Sequence, residues 1–314
     1  MLSTLSVSGI ALCVAVGVLL DLLLGEARRW HPLVGFGRWA ATIERYGNSG
    51  GHRILRGGLA WLLAVLPPVA LVWTVAGSIS SGPASYALHI LLLYFCIALR
   101  SLRDHVLPIA NALERGDLTQ ARMLTGRIVS RDTAQAEPSD LAKASAESLL
   151  ENGNDAVFGT LFWFVVAGGP GALLFRLANT LDAMWGHRTA RFLQFGRSAA
   201  RIDDALNWIP ARLTALSYAL LGATLADKRC AWRCWRAQAP AWPSPNAGPV
   251  MASGAGALGL LLGGAAVYGG VIEQRPILGC GRMAGAKDIG RAWRLIAGTT
   301  VMWVGLIVLA GLLV

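Results

Sequence analysis

An all-α, polytopic integral membrane protein is the fold class that this 314-residue sequence predicts, on three observations. Hydrophobic residues make up 54% of the chain and charged residues only 15%, against about 25% charged in a soluble globular domain. There are too few charges to coat a water-facing surface. Apolar runs of membrane-spanning length recur, and the mean hydropathy is +0.51. The cations, 28 Lys and Arg against 18 Asp and Glu for a net +10, are dispersed and follow the apolar runs. That is the positive-inside pattern rather than a basic face for nucleic acid. The same composition excludes disorder, coiled coil and collagen.

Leu5 to Leu24 is an apolar run of about 20 residues, the length at which a helix crosses a bilayer. No basic n-region or small-residue cleavage site marks it as a signal peptide, so it predicts a first transmembrane helix (5–24) with Asp21 near its end. Gly25 to Gly57 carries six Arg against two Glu, which puts that stretch on the cytoplasmic side. A second span, 58–79, tolerates Pro67-Pro68 as a kink. The short uncharged link Ser80 to Pro83 leads to a third, 84–99, and 295–314 is the last.

Between these spans, residues 100–155 hold nine of the acidic residues and seven basic ones and read as cytoplasmic helices. Arg115-Gly116-Asp117 is a turn, Asp117 or Thr119 a cap, and Asp140 to Asp155 a helix behind Pro138. Residues 156–181 are apolar but split by Gly168-Gly169-Pro170-Gly171. Each half is about 12 residues, or about 18 Å of helix, too short for a core of about 30 Å. The split predicts a re-entrant helical hairpin, which leaves the cytoplasmic segments 100–155 and 176–212 in one compartment. Leu213–Ala226 and Val250–Ile272 are two further apolar helices, giving four to six spans in a single membrane-embedded domain, 1–314.

The five cysteines contain no paired CxxC ligands, and an odd count argues against a disulfide framework. Cys13 and Cys96 sit in apolar runs as small hydrophobes. Cys230 and Cys234 are four apart, and Cys280 stands alone in a Gly-rich loop. Gly254-Ala255-Gly256-Ala257-Leu258-Gly259 fits GxGxxG, but no strand precedes it, so it reads as close helix packing.

Three constellations carry chemistry. Glu147, Glu151 and Asp155 lie at i, i+4 and i+8, one acidic helix stripe with neighbours about 6 Å apart; a divalent cation, a polyamine-like substrate or facing arginines would relieve their repulsion. Arg176, Asn179 and Asp182 share a face after the hairpin, beside Thr180. Arg197 and Arg201 stack one turn apart with Asp204 continuing that face, in a run that also holds Asp203, Asn207 and Arg212. Guanidinium forks suit phosphate or carboxylate, and adjacent carboxylates suit Mg²⁺. Smaller signals are His31-Pro32, Arg131-Asp132-Thr133 and the rigid turn Pro243-Ser244-Pro245-Asn246-Ala247-Gly248.

In this order, these motifs resemble the cobalamin-biosynthesis family CobD/CbiB, adenosylcobinamide-phosphate synthase. The resemblance runs from Asp21 to about Arg282 and includes Leu161-Phe162, Phe195-Gly196, Pro210-Ala211 and Tyr268-Gly269-Gly270. It implies a multi-pass protein of the inner membrane with its active site facing the cytoplasm. The implied reaction joins adenosylcobyric acid to (R)-1-amino-2-propanol or its O-phosphate, using ATP and Mg²⁺. The implied partners are the corrinoid, the amino alcohol, the lipid bilayer and other late cobalamin-pathway enzymes, with no nucleic acid. Glu147, Glu151, Asp155 and Asp203 or Asp204 would hold the metal, Arg197, Arg201 and Arg212 the phosphates, and Asn179 with Asp182 the amine. His31, Arg131, Asp132, Thr133, Arg176, Asn207 and Asn246 complete the expected substrate contacts. The chain departs from the family's usual residues at Gly25-Glu26-Ala27, Thr160, Trp242 and Cys280. A secondary transporter or a non-catalytic scaffold for corrinoid enzymes are the readings from other classes; amide formation or nucleotide hydrolysis by purified protein separates them.

Overall fold

The computed structural model describes residues 5–27, 31–79 and 82–314. Arg28 and Arg29 of the cytoplasmic basic stretch, and Ser80 and Ser81 of the predicted link, lie outside the described residues. Among the described residues, five helical stretches are long and apolar enough to cross a membrane: Val7–Leu24, Arg53–Ser78, Pro83–Glu114, Pro138–Trp185 and Ala286–Leu312. The chain is a helical, multi-pass membrane protein, and each span predicted at 5–24, 58–79, 84–99 and 295–314 falls on one of these stretches. It divides into two compact units, residues 1–98, 155–207 and 304–314, and residues 99–154 and 208–303.

The first unit holds α1 (Val7–Leu24), α2 (Pro32–Gly47), α3 (Arg53–Ser78) and α4 (Pro83–Cys96). Ser6 caps α1, accepting from Gly9 N–H at 3.1 Å, and Pro32 begins α2, where a missing N–H costs nothing. Pro67 and Pro68 lie inside a continuous α3. Small residues let helices approach: a Cβ at Gly17 would meet the Leu93 side chain at 2.8 Å, and one at Gly57 would overlap the Phe195 carbonyl. Phe36, Trp61, Trp185 and Phe195 centre its buried core.

The predicted hairpin is present. After α5 (Leu99–Glu114), α6 (Leu118–Thr125), α7 (Pro138–Gly153) and a π turn at Asn154–Phe158, α8 (Gly159–Trp185) breaks at Ala167 and Gly168. Gly168 takes φ 65°, ψ −155°, open to glycine and to little else. In a straight helix Gly159 and Phe175 would be about 24 Å apart, yet a side chain at Gly159 would overlap the Phe175 ring. The two halves therefore fold back on each other. The buried His89 ring holds the bend, its Nδ1 accepting from Gly169 N–H at 2.8 Å. Gly159→Leu is expected to abolish the folded fraction recovered in detergent, read as loss of the monodisperse chromatographic peak, whereas Gly77→Leu, facing open space, should leave it unchanged.

The second unit contains α5, α6, α7 and most of the C-terminal elements. Asp117 caps α6, accepting from Gln120 N–H at 3.0 Å. Two apolar stretches differ from expectation. Leu213–Ala226 is not a separate helix: α9 (Arg197–Leu220) runs through its first half, and Thr224 with Asp227 forms a capping box that starts α10 (Leu225–Gln238). Val250–Ile272 is not one helix either. After α11 (Ala247–Leu258), Gly259 at φ 64° ends it. Strands β1 (Leu260–Tyr268), β2 (Val271–Gly279) and β3 (Arg282–Met283) follow, then α12 (Ala286–Leu312). Gly269 and Gly270, both at positive φ, make the two-residue turn that antiparallel strands favour, and β1 also pairs with β3 in parallel. Hydropathy alone does not separate a wholly buried 12-residue helix plus an apolar strand from one long apolar helix.

Candidate active site

Glu147 is a buried carboxylate of the second unit engaged on both oxygens. It faces inward from α7, 2% exposed, where an isolated charge would be costly. Arg131 pairs with its Oε2, and Arg275 Nη2 reaches the same oxygen at 3.2 Å. Gly263 N–H donates to Oε1 at 2.7 Å. That N–H is available because β1 shifts register against β2 between Gly263 and Gly264, and Gly263 takes φ 72° with no room for a side chain. Both oxygens are thus taken, and two guanidinium groups oppose a dication there. The structure withdraws Glu147 from the expected metal ligands and makes it the anchor of two arginines.

Those arginines line a cavity of about 290 Å³ with Ser148, Glu151, Asn152, Trp242 and Tyr268. Arg275 lies over the Trp242 ring, 5.3 Å from its centre. An adjoining cavity of about 800 Å³ is lined by Arg131, Asp132, Thr133 and Lys143. Asp132 accepts from Gly270 N–H at 2.7 Å, so it secures the β1–β2 turn, and Thr133 donates to the Arg122 carbonyl at 3.0 Å. Arg212 donates to Asn246 Oδ1 at 2.8 Å and to the Pro245 carbonyl at 3.1 Å. It pins the Pro-Ser-Pro-Asn turn, which uses the guanidinium expected to hold phosphate.

Asp155 does not continue the stripe begun by Glu147 and Glu151. The α-helical register ends at Gly153, and Asp155 lies in the π turn, whose extra residue rotates the face. It belongs to the first unit, where it acts on Asp203 together with Asp182. Asp203 is 7% exposed. Asn207 donates to its Oδ2 at 3.1 Å and Asn179 to its Oδ1 at 3.4 Å. Burial, then the Asp155 and Asp182 carboxylates, push Asp203 well above the usual carboxylate range, against the two amides. The sequence-predicted Asp155, Asn179, Asp182, Asp203 and Asn207 are therefore brought together.

Arg197, Arg201 and Asp204 do share a face: all three line a cavity of about 520 Å³ with His187 and Arg188. Both arginines are exposed. His31 caps α2, its Nδ1 accepting from Leu33 N–H at 3.2 Å, and lines a narrow cleft with Asp21, Glu26, Tyr94 and Arg176. Burial lowers the imidazole below its ordinary value, with Glu26 opposing and Arg176 assisting. Among the described residues, Arg176 Nε is buried without a hydrogen-bond partner.

A family model described as CobD/Cbib protein matches residues 14–296. The chain belongs to the CobD/Cbib family. Among curated relatives, the Cobalamin biosynthesis protein CobD of Stutzerimonas stutzeri (strain A1501) is 53% identical over 302 residues, covering 96% of this chain and 97% of that protein. Its namesake from Chromobacterium violaceum is 50% identical over 311 residues, 97% of each chain. The one from Mycobacterium tuberculosis (strain H37Rv) is 36% identical over 313 residues, 97% of this chain and 96% of its own. No solved structure matches. Membership in the CobD/Cbib family gives this protein a role in cobalamin biosynthesis. Sequence reasoning missed Arg275 as a site residue. Its signal was the Tyr268-Gly269-Gly270-Val271 turn, which makes the following residues a strand whose alternate positions, Glu273 and Arg275, share a face.

Proposed function

We propose that this CobD/Cbib protein is an ATP-dependent amide ligase of the inner membrane, working on the cytoplasmic side. It joins adenosylcobyric acid to (R)-1-amino-2-propanol or its O-phosphate, giving adenosylcobinamide or its phosphate. The observation that carries the reading is the buried aspartate cluster around Asp203. Three neighbouring carboxylates, one of them buried and fixed by two amides, call for a cation, and hard oxygen donors are the set that Mg²⁺ takes. Asp155, Asp182 and Asp203 with Asp204 would hold it; bound there, Mg²⁺ would neutralise phosphate charge during transfer.

Carboxylate and amine do not condense in water unaided. The substrate carboxylate attacks the γ-phosphate of ATP, releasing ADP and forming an acyl phosphate. The amine then attacks the acyl carbon, and phosphate leaves as the C–N bond forms. Arg197 and Arg201 orient phosphate oxygens, and Asn179 with Asn207 fixes the Asp203 carboxylate. Arg131 and Arg275, aligned by Glu147, receive carboxylate or phosphate oxygens of a substrate in the cavity they line. The transporter reading loses support from distance: Asp182 lies 14 residues beyond the helix break at Gly168, about 21 Å along a helix. A transporter places its ion site at such a break.

Purified protein supplied with adenosylcobyric acid, Mg²⁺–ATP and each amino alcohol should yield the amide by mass spectrometry, and no amide with either alcohol would refute the ligase. Arg201→Lys keeps the charge but loses the planar fork. It should insert normally and amidate at least about tenfold more slowly, the loss of about 1.5–3 kcal/mol expected for a charge-assisted contact. Parent-like turnover would return Arg201 to membrane anchoring.

A further inference from the structure

Cys280, a departure from the family's usual residue, sits in a turn that only glycine can build. Gly279 has φ 84° and Gly281 φ 111°, and a side chain at either would overlap a backbone carbonyl, Leu260 or Gly259. Gln238, ending α10, grips the turn from both sides of one residue: its Nε2 donates to the Gly279 carbonyl at 3.0 Å and its Oε1 accepts from Gly279 N–H at 2.6 Å. Across from it, Cys230 and Cys234 lie one turn apart on α10 with their sulfurs 3.6 Å apart. Gly256 lets α11 brace that helix closely, since a Cβ there would sit 2.6 Å from Ala231 Cα. The sulfurs of Cys230, Cys234 and Cys280 all lie within 4.8 Å of one another. Cys230 and Cys280 are joined as a disulfide, which corrects the expectation that Cys280 stands alone. The turn and the helix are held by backbone, Gln238 and packing, so the three sulfurs stay convergent when that bond opens.

We propose that Cys230, Cys234 and Cys280 form a three-thiolate zinc site once the Cys230–Cys280 disulfide is reduced by a dithiol. The dithiol delivers two electrons and two protons, becoming a disulfide itself and leaving two thiols beside that of Cys234. Zinc then displaces three protons and bonds three thiolates. An all-sulfur set selects soft or borderline cations over Mg²⁺. Tetrahedral zinc with Zn–S of about 2.3 Å separates its sulfurs by about 3.8 Å, close to the Cys230–Cys234 spacing, and leaves a fourth position for water. The site carries one net negative charge, and Arg233 of α10 acts electrostatically on the Cys234 thiol. Gly279 ends β2, the strand that brings Arg275 to Glu147, so zinc in the reduced state and the disulfide in the oxidised state tether the same strand end.

The test uses the full-length protein in detergent, reduced with tris(2-carboxyethyl)phosphine, loaded with Zn²⁺, desalted and assayed by elemental mass spectrometry. About one zinc per chain is expected, and none after prior oxidation with diamide. Cobalt substituted for zinc should give thiolate-to-metal charge-transfer absorption in the near ultraviolet. Cys234→Ser keeps the disulfide pair and hence the oxidised fold, yet should weaken zinc binding at least about a hundredfold, beyond the loss from a supporting residue. Cys13→Ser should leave it unchanged. Zinc far below one per chain in reduced protein of unaltered circular dichroism would overturn the proposal. So would zinc retained at parental affinity by Cys234→Ser, or a Cys230–Cys280 bond that survives reduction as judged by alkylation mass.

Discussion

Asp203→Asn is expected to leave a folded, membrane-inserted protein whose amide-forming rate has fallen about 100- to 1,000-fold, the size seen when a preorganised electrostatic group is removed from a site. The reason lies in the sign of the perturbation. Burial and the neighbouring Asp155 and Asp182 hold Asp203 above its ordinary carboxylate range. The folded state therefore binds its proton more tightly than the unfolded state does. The ionised form costs stability, and that cost grows as pH rises past the ordinary Asp value. Asn removes the charge at constant shape, and the Asn179 amide, the longer of the two contacts at 3.4 Å, can turn to accept from it. Thermal unfolding at pH 7 should shift upward or stay level while activity disappears. A loss of both together would mean that Asp203 serves packing, and unchanged activity would remove it from the site.

Glu147→Gln is expected to act in the opposite way, destabilising the protein by about 3–5 kcal/mol, the range for leaving a buried charge without its partner. The Arg131 and Arg275 side chains are only 11% and 13% exposed, and Glu147 is the carboxylate that both share. A neutral amide leaves two guanidinium groups without the buried carboxylate they share. Denaturant unfolding in detergent micelles measures the loss, and hydrogen exchange at Gly263 reports it locally. The double variant Glu147→Gln/Arg275→Gln should recover part of the stability, because the remaining cation is then alone. A metal ligand would behave differently: its removal would weaken Mg²⁺ binding and leave metal-free stability nearly unchanged.

How far the sequence was legible follows from the length scale of each signal. The spans at 5–24, 58–79, 84–99 and 295–314 rest on hydropathy summed over many residues, which neighbours cannot easily reverse. The hairpin was legible because Gly168-Gly169-Pro170-Gly171 interrupts a run whose halves are too short to cross. The strands were not, because Leu260–Tyr268 is as apolar as a helix and its defining signal is the two-residue turn at Gly269–Gly270. Missing the strands hid Arg275 and Gly263, and with them the reason that Glu147 is buried. Periodicity correctly grouped Arg197, Arg201 and Asp204, yet placed Asp155 on the wrong stripe, since a π turn has no marker in composition. Arg212, Asp132 and Thr133 carried the right residue types for substrate contact, and only the tertiary structure reveals that they hold loops.

The most direct test of the ligase account is to follow oxygen from the corrinoid carboxylate. Adenosylcobyric acid labelled with ¹⁸O in its free propionate is incubated with the protein, Mg²⁺–ATP and the amino alcohol, and the released nucleotide and phosphate are analysed by mass spectrometry. Activation as an acyl phosphate predicts one ¹⁸O in inorganic phosphate, with ADP unlabelled. Label in AMP, or amide formed with no ¹⁸O transferred to phosphate, would contradict it.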